Sequence, residues 1–202
     1  MNRIFNKMYF IWNAVSSTIN TKFIRLKCTL IGVDLGKHSV FHGKPMLYKC
    51  NGSSISIGED CRFRSRIRMN FQAGIMRPCT IETLTRNAKI QIGSGCGFSG
   101  TMISAAEKIV IGNNVMCGAN TSITDTDWHG IYPNERASKF AKKAPVIIED
   151  NVWLGMNVTI LKGSEIGENS VIAANSVVSG KIPRNSLAGG IPARVIKTLE
   201  IN

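Results

Sequence analysis

His129 is one of three histidines in this chain, and it closely follows two carboxylates, Asp125 and Asp127. Because an imidazole titrates near neutral pH, a positioned histidine can act as a general base on a hydroxyl group. A neighbouring carboxylate could orient such a ring and stabilise its charged form. Alternatively, both carboxylates could hold a turn through bonds to the backbone. The spacing marks His129 as a candidate base, with Asp127 as an orienting or substrate-contacting group.

The segments that must position these residues repeat with a period of six. Aliphatic residues recur at Ile148, Leu154, Ile160, Ile166, Ile172 and Val178. This period matches neither an α-helix nor an alternating strand, and it is typical of a parallel β-helix whose coils have three flat faces. Earlier repeats begin near Ile92, and the period breaks from about Trp128 to Pro145. We therefore expect an all-β solenoid over 28–188, with a loop extruded at about 128–145 and a C-terminal cap over 189–202.

The first 27 residues have a different pattern from the repeats. An apolar stripe at helical spacing is formed by Ile4, Met8, Ile11, Trp12, Val15 and Ile19. The segment is basic, and no acidic residue appears before Asp34. The pattern predicts an amphipathic helix over 1–27. Such a helix could pack on the coil, or it could rest on an anionic membrane surface.

A second basic pattern alternates along the chain soon afterwards. Arg62, Arg64, Arg66 and Arg68 occupy every second position. In a strand they would share one face, where they could bind phosphates or carboxylates or simply be solvated.

Composition limits the remaining options. The chain has 202 residues, enough for one domain, and a net charge of +12, which favours an anionic partner or a generally basic surface. Its six cysteines include no CxxC pair, so a zinc site is disfavoured, and their scattered placement favours a reducing, cytosolic compartment. Cys61 and Cys117 are expected in the core, and we assign structural roles to His38 and His42.

Three segments together resemble the hexapeptide-repeat acyltransferases. They are IGNNVMCGANTSITDTDWH, EDNVWLGMNVTILKGSEIGENSVIAANSVV and GGIPARVIK. More narrowly, they are similar to galactoside and maltose acetyltransferases and to O-acetyltransferases of bacterial capsule and lipopolysaccharide. The resemblance is strong over 92–198 and weak over 1–55. It implies a left-handed coil, a homotrimer with sites between subunits, and direct transfer from acetyl-CoA as co-substrate in a ternary complex.

The resemblance also implies roles for individual residues. His129 matches the family's catalytic histidine. Trp153 is expected to face outward, as a platform for a sugar or the pantetheine arm or as a packing residue at the trimer interface. An oxyanion needs hydrogen-bond donors placed beforehand, and a backbone N–H near Ser99 and Gly100, the side chain of Ser99 or the side chain of Asn120 could supply one.

Coenzyme A needs a narrow groove for its arm and cations for its phosphates. Gly155, Ala173 and Ala174 offer small groove walls. Arg194 and Lys197 match the family's basic tail, and Lys181 lies one residue from the family's lysine position.

The sequence thus predicts an acetyl-CoA-dependent O-acetyltransferase for a sugar hydroxyl of a cell-surface polysaccharide or its precursor. N-acetylation of an amino sugar and a non-enzymatic scaffold are the alternatives, and a three-histidine zinc enzyme of the carbonic anhydrase type is disfavoured. We expect no metal and no nucleic acid partner. The expected location is cytoplasmic, at the inner membrane face if residues 1–27 bind lipid.

Overall fold

The computed structural model describes residues 2–66, 74–137, 139 and 141–200. Helix α1 (Asn2–Ile31) precedes the strands, and a 3₁₀ turn lies at Pro133–Glu135. The strands are β1 (Asp34–Leu35), β2 (Val40–His42), β3 (Met46–Tyr48), β4 (Ser54–Ile57), β5 (Arg62–Arg64), β6 (Thr80–Thr83), β7 (Lys89–Ile92), β8 (Gly97–Ser99), β9 (Met102–Ala105), β10 (Lys108–Ile111), β11 (Met116–Cys117), β12 (Ser122–Thr124), β13 (Val146–Ile148), β14 (Trp153–Leu154), β15 (Thr159–Ile160), β16 (Glu165–Ile166), β17 (Val171–Ile172), β18 (Val177–Val178), β19 (Lys181–Ile182), β20 (Ser186–Gly190) and β21 (Ala193–Thr198).

The strands form three parallel sheets, which are the three faces of a left-handed β-helix. Face 1 contains β1, β4, β7, β10, β13, β16 and β19; face 2 contains β2, β5, β8, β11, β14, β17, β20 and β21; face 3 contains β3, β6, β9, β12, β15 and β18. Only the final pair, β20 with β21, is antiparallel among these sheets. The predicted fold class is confirmed. We call the edges between faces corner 1/2, corner 2/3 and corner 3/1.

The interior of the coil is built from the six-residue period. The aliphatic residues that recur from Ile148 to Ile172 lie on successive faces and are fully buried, and so is the second series with this spacing, which includes Val152 and Ser164. The buried Ser164 hydroxyl lies 2.6 Å from the Leu161 carbonyl and 3.0 Å from the Val178 carbonyl, so its polar atom is satisfied. Toward the N-terminal end, Phe41, Phe63 and Phe98 stack with centroids 4.8 and 4.9 Å apart. Each coil thus contributes residues at the same depth to one continuous core.

Asparagines turn the chain at the corners. Asn151 and Asn169 have φ of 59°, a left-handed conformation that asparagine tolerates better than most residues. At corner 1/2 their amides form a ladder, with Asn151 donating to Asn169 at 3.0 Å and Asn169 donating to Asn185 at 2.9 Å. The ladder runs along the coil axis and links successive turns.

Helix α1 closes the N-terminal end of the coil with the face opposite the predicted stripe. Ile24 and Cys28 are buried in the core cluster. Thr21 accepts a bond from the Phe41 amide at 3.0 Å, and Arg25 donates to the carbonyls of Gly36 and Ser39. The residues of the predicted stripe whose side chains are described are instead exposed. The helix therefore packs on the coil, but not through the apolar residues that the sequence singled out.

The arginine pattern divides at the end of β5. Arg62 and Arg64 lie on this strand, either side of the buried Phe63. Arg66 has left the strand and contacts α1, with its guanidinium 3.9 Å from the ring centroid of Trp12. Arg68 lies outside the described residues. The three described arginines therefore do not share one environment.

Candidate functional site

The loop that carries His129 leaves the coil at corner 3/1, between β12 and β13. Its stem is closed by backbone bonds from Asp127 to Lys142 and from Ala144 to Asp125, both 3.0 Å. The buried carboxylate of Asp125 accepts three backbone N–H bonds, at 2.6 to 2.7 Å, from Ala106, Glu107 and Lys108. Asp125 therefore anchors the corner, and the predicted extruded loop begins from a rigid base.

The imidazole of His129 is oriented by the backbone of its own loop. Its Nδ1 lies 2.7 Å from the carbonyl oxygen of Arg136. Because a carbonyl can only accept a hydrogen bond, Nδ1 carries the proton in this contact. The neutral ring then has its lone pair on Nε2, which is the atom able to take a proton from a substrate.

A close backbone approach shapes this loop. A Cβ at Gly130 would lie 2.0 Å from the Glu135 carbonyl oxygen, so only glycine fits there. This approach folds the segment after His129 back on itself and brings the Arg136 carbonyl to the ring. No pattern of residue types predicts this contact, because its acceptor belongs to the backbone.

Asp127 is engaged with a residue of the next coil. Its Oδ1 lies 2.7 Å from Nζ of Lys162, and both side chains are about one-third exposed. Lys162 follows β15 at the same corner, so the ion pair ties the loop stem to the coil. Within the described residues, the contact that orients His129 comes from Arg136, while Asp127 holds the stem.

A cavity of about 430 Å³ opens beside the loop at corner 3/1. Its lining consists of Leu84, Thr85, Ala106, Thr126, Trp128, Lys139, Ala141 and Lys143. Trp128 directly precedes His129, and two lysines bring positive charge to the cavity. Sequence reasoning missed this group, although the tryptophan beside the histidine and the lysines of the insert were visible.

Five other predicted site residues lie at a different edge of the coil. Ser99, Asn120, Gly155, Ala173 and Ala174 all lie at corner 2/3, in successive coils. A Cβ at Gly155 would lie 2.6 Å from the Ala174 backbone nitrogen, so the coils touch closely there. The structure brings these five residues together, but within one chain they occupy a different corner from His129.

The side chain of Asn120 already has partners in the chain. Its Oδ1 accepts from the Met76 amide and its Nδ2 donates to the Gly74 carbonyl, both at 2.9 Å. Arg77 adds bonds to the Gly100 and Asn120 carbonyls at 3.0 and 2.9 Å. Asn120 therefore holds the 74–77 segment on the coil.

Trp153 projects outward from face 2, as predicted, and is 52% exposed. It lies beside Met116 and Val171 in the neighbouring strands. Face 2 does not adjoin corner 3/1, so Trp153 and His129 lie on different sides of one chain.

The predicted phosphate-binding residues are partly brought together. Lys181 and Arg194 both line a cavity of about 140 Å³ near the C-terminal end of the coil. Lys181 also pairs with Glu165 at 2.8 Å. Lys197 is exposed on β21, where it pairs with Leu187 of β20.

A cysteine nucleophile and a metal centre are two other kinds of site that six cysteines and three histidines could form. Cys117 is buried, and this burial raises the pKa of its thiol, which disfavours a thiolate nucleophile. In the described part of the chain, no three His, Cys, Asp or Glu side chains form a group able to hold a metal ion. His38 is an exposed turn residue, and His42 lies 2.8 Å from the Ser17 hydroxyl.

Comparisons with known proteins agree with this architecture. The family model described as bacterial transferase hexapeptide (six repeats) matches residues 145–180. The galactoside O-acetyltransferase of Lactococcus lactis is 37% identical over 141 residues, which are 69% of this chain and 60% of that protein. A protein of Escherichia coli provisionally named lipopolysaccharide biosynthesis O-acetyl transferase WbbJ is 36% identical over 104 residues, 47% of this chain and 53% of that protein.

A solved structure has the same fold. It is a variant of AntD, an N-acyltransferase from Bacillus cereus, in complex with dTDP-4-amino-4,6-dideoxyglucose and coenzyme A. Its TM-score is 0.64 at 18% identity, covering 88% of this chain and 89% of that chain. The resemblance read from the sequence is confirmed: the chain is similar to hexapeptide-repeat acetyltransferases. The chain spans a little over half the length of the two curated relatives above.

Proposed function

We propose that this protein is an acetyl-CoA-dependent O-acetyltransferase that acts on a sugar hydroxyl, with His129 as its general base. The observation that carries the proposal is the 2.7 Å contact from Nδ1 of His129 to the Arg136 carbonyl. This contact leaves Nε2 as the proton acceptor. The ring lies on a loop that interrupts the six-residue repeat. A scaffold would have no need for an oriented, exposed imidazole at that break.

The reaction is a direct transfer in a ternary complex. As the acceptor oxygen attacks the thioester carbonyl, Nε2 of His129 takes the hydroxyl proton. The new C–O bond forms, the tetrahedral intermediate collapses, and the C–S bond breaks. The proton held by His129 then passes to the departing thiolate, giving free coenzyme A and the acetyl ester. The buried Cys117 has no part in this sequence.

The site is completed by a neighbouring subunit in a homotrimer. Within one chain, His129 is at corner 3/1, whereas Trp153 is on face 2 and the small residues are at corner 2/3. In this proposal, a groove between subunits takes the pantetheine arm along Gly155, Ala173 and Ala174. Lys181, Arg194 and Lys197 contact the phosphates, and Trp153 supports the arm or the sugar. The oxyanion donor is supplied from the neighbourhood of Ser99, since the side-chain amide of Asn120 already donates to Gly74 and the Gly100 N–H already donates to Arg64.

The acceptor is a cell-surface polysaccharide or its precursor. The cavity beside the loop, with Trp128 and two lysines, suits a sugar that carries an acidic group. The names of both curated relatives, one acting on galactosides and one assigned to lipopolysaccharide synthesis, support a sugar acceptor. The proposal includes a cytoplasmic location with contact between residues 1–27 and a membrane.

An amino sugar is the second candidate acceptor. It is favoured by the structural neighbour whose title names a 4-amino sugar nucleotide. The same base at Nε2 would serve an amine, so the acceptor decides between the two reactions.

Thiol release from acetyl-CoA in the presence of a panel of bacterial glycans and amino-sugar nucleotides tests the proposal. We expect acceptor-dependent release by the wild type that falls at least about a hundredfold in His129→Ala. His38→Asn is the matched control, because His38 is exposed, lies in the first coil, and has a φ of 58° that asparagine tolerates. Equal release by wild type and His129→Ala would remove His129 as the base.

A further inference from the structure

One face of helix α1 is apolar and exposed along almost its whole length. Its members are Met8, Ile11, Trp12, Val15, Ile19, Phe23, Leu26 and Leu30, each at least 50% exposed. Their spacing of three and four residues places them within one stripe on the helix. We call this stripe the α1 apolar face. It lies opposite Ile24 and Cys28, and the residues that the structure describes leave it exposed.

A basic pocket adjoins this face. It has a volume of about 300 Å³ and is lined by Ser16, Asn20, Gly43, Lys44, Ser65 and Arg66. Arg66 donates to the Ser16 hydroxyl at 3.1 Å, and Asn20 donates to the same oxygen at 3.3 Å. The pocket therefore presents two cations and several hydrogen-bonding groups, a combination suited to a phosphate.

The pocket and the apolar face are joined by two aromatic rings. The guanidinium of Arg66 lies 3.9 Å from the Trp12 centroid, and Nζ of Lys44 lies 5.0 Å from the Phe23 centroid. Both rings belong to the α1 apolar face. Each cation of the pocket is thus held at the edge of the face by a cation–π contact. An amphiphile could place its tail on the face and its anionic head in the pocket at the same time.

The charge of the helix indicates what covers the face. Residues 2–31 contain no Asp or Glu, and Lys7, Lys22 and Lys27 lie along the helix. Lys22 lies within the apolar stripe by helical spacing. Packing two copies face to face would bring like charges together, whereas an anionic lipid surface complements them. In the part of the chain that the structure describes, no helix has the length and apolarity needed to cross a bilayer.

We propose that α1 docks this protein on the surface of an anionic phospholipid membrane. The α1 apolar face enters the boundary between headgroups and acyl chains, and a lipid phosphate occupies the basic pocket between Lys44 and Arg66. This proposal rests on the membrane contact included in the proposed function, and it specifies the class of lipid and the residues that bind it. Its test involves no acetyl transfer, so the membrane docking can fail while the acetyl transfer by His129 stands, and the reverse.

Co-sedimentation of the full chain with lipid vesicles tests the docking. We expect binding to phosphatidylcholine vesicles that contain phosphatidylglycerol, weakening with added salt, and little binding to pure phosphatidylcholine. The Ile19→Gln/Leu26→Gln variant removes two exposed apolar side chains and should bind at least about tenfold more weakly. Ala14→Gln is the matched control, since Ala14 is exposed on the same helix outside the stripe.

Two further variants test the pocket. Lys44→Gln and Arg66→Gln should each lower binding to anionic vesicles roughly fivefold. Lys44 is exposed, so its replacement leaves the fold intact, and circular dichroism checks Arg66→Gln because that side chain contacts Ser16. Equal binding to neutral and anionic vesicles, or equal binding by wild type and Ile19→Gln/Leu26→Gln, would overturn the proposal. A lower oligomer mass for that double variant in light scattering would also overturn it, by showing that a second copy covers the face.

Discussion

Nδ1 of His129 lies 2.7 Å from the carbonyl oxygen of Arg136, seven residues further along the same loop. This contact assigns the proton of the neutral ring to Nδ1 and the lone pair to Nε2. The loop thus supplies both the base and the group that orients it. A carboxylate in that place would stabilise the charged imidazolium more strongly than a carbonyl does.

Because only the backbone of Arg136 is used, its side chain should be dispensable. We expect Arg136→Ala to retain acceptor-dependent thiol release within about twofold of the wild type, against the hundredfold loss expected for His129→Ala. Steady-state kinetics with saturating acetyl-CoA measures both. A loss in Arg136→Ala as large as in His129→Ala would show that the guanidinium itself takes part.

The pair of Asp127 and Lys162 should act on the loop stem rather than on the chemistry. A partly exposed ion pair of this kind contributes at most about 1 kcal/mol. We expect Asp127→Asn to lower kcat/KM less than about tenfold. A double-mutant cycle with Lys162→Met uses free energies of unfolding measured by urea denaturation. It should give a coupling free energy below about 1 kcal/mol, which decreases as salt is added. A loss of about ten-thousandfold in Asp127→Asn would instead place its carboxylate on the imidazole in the assembled site.

Asn120 should be a structural residue. Its side-chain amide joins the turn after β11 to the backbone of Gly74 and Met76, and the side chain is buried. We expect Asn120→Ala to lower the free energy of unfolding by about 1–3 kcal/mol, because it leaves those backbone groups without their partner. Chemical denaturation measures the change. An unchanged stability together with a large fall in kcat would identify Asn120 as the oxyanion donor.

Stability should fall as the pH is lowered through the range in which His42 titrates. Burial, and then the nearby Arg64 and Arg62, lower the pKa of His42 below its ordinary value of 6.5. The folded protein therefore resists protonation of this ring, whereas the unfolded chain accepts the proton. The unfolded state binds more protons below about pH 6.5, so acidification favours unfolding. Thermal unfolding at neutral and mildly acidic pH measures the effect.

His42→Asn is the matched variant for this pH dependence. Asparagine can still donate to the Ser17 hydroxyl but does not titrate. We expect the variant to lose the part of the pH dependence that arises at the contact between β2 and α1. An equally steep fall in the melting temperature of the variant would assign that dependence to other groups.

Parts of the site could be predicted from the sequence because they depend on local repetition. The six-residue period identified the interior positions, the outward position of Trp153 and the place where the coil is interrupted. Lys181 and Arg194 line one cavity, and their contact with phosphates stays a prediction. In contrast, the hydrogen-bond partner of His129 could not be predicted, because it is a backbone carbonyl and every residue has one. The sequence also left open what the apolar stripe of α1 contacts, since helical periodicity shows that a stripe exists but not which surface covers it.

The sequence by itself determined the solenoid, since an aliphatic residue at every sixth position fits a coil with three flat faces and fits neither an α-helix nor an alternating strand. It also determined that His129 lies where this period is interrupted. Only the tertiary structure decided that Asp127 and Lys162 form an ion pair at corner 3/1, because this contact joins residues of different coils. It also decided that α1 packs through Ile24 and Cys28. The physical reason is that periodicity specifies what is buried, whereas hydrogen bonds and ion pairs between coils depend on a register that exists only once the coil has formed.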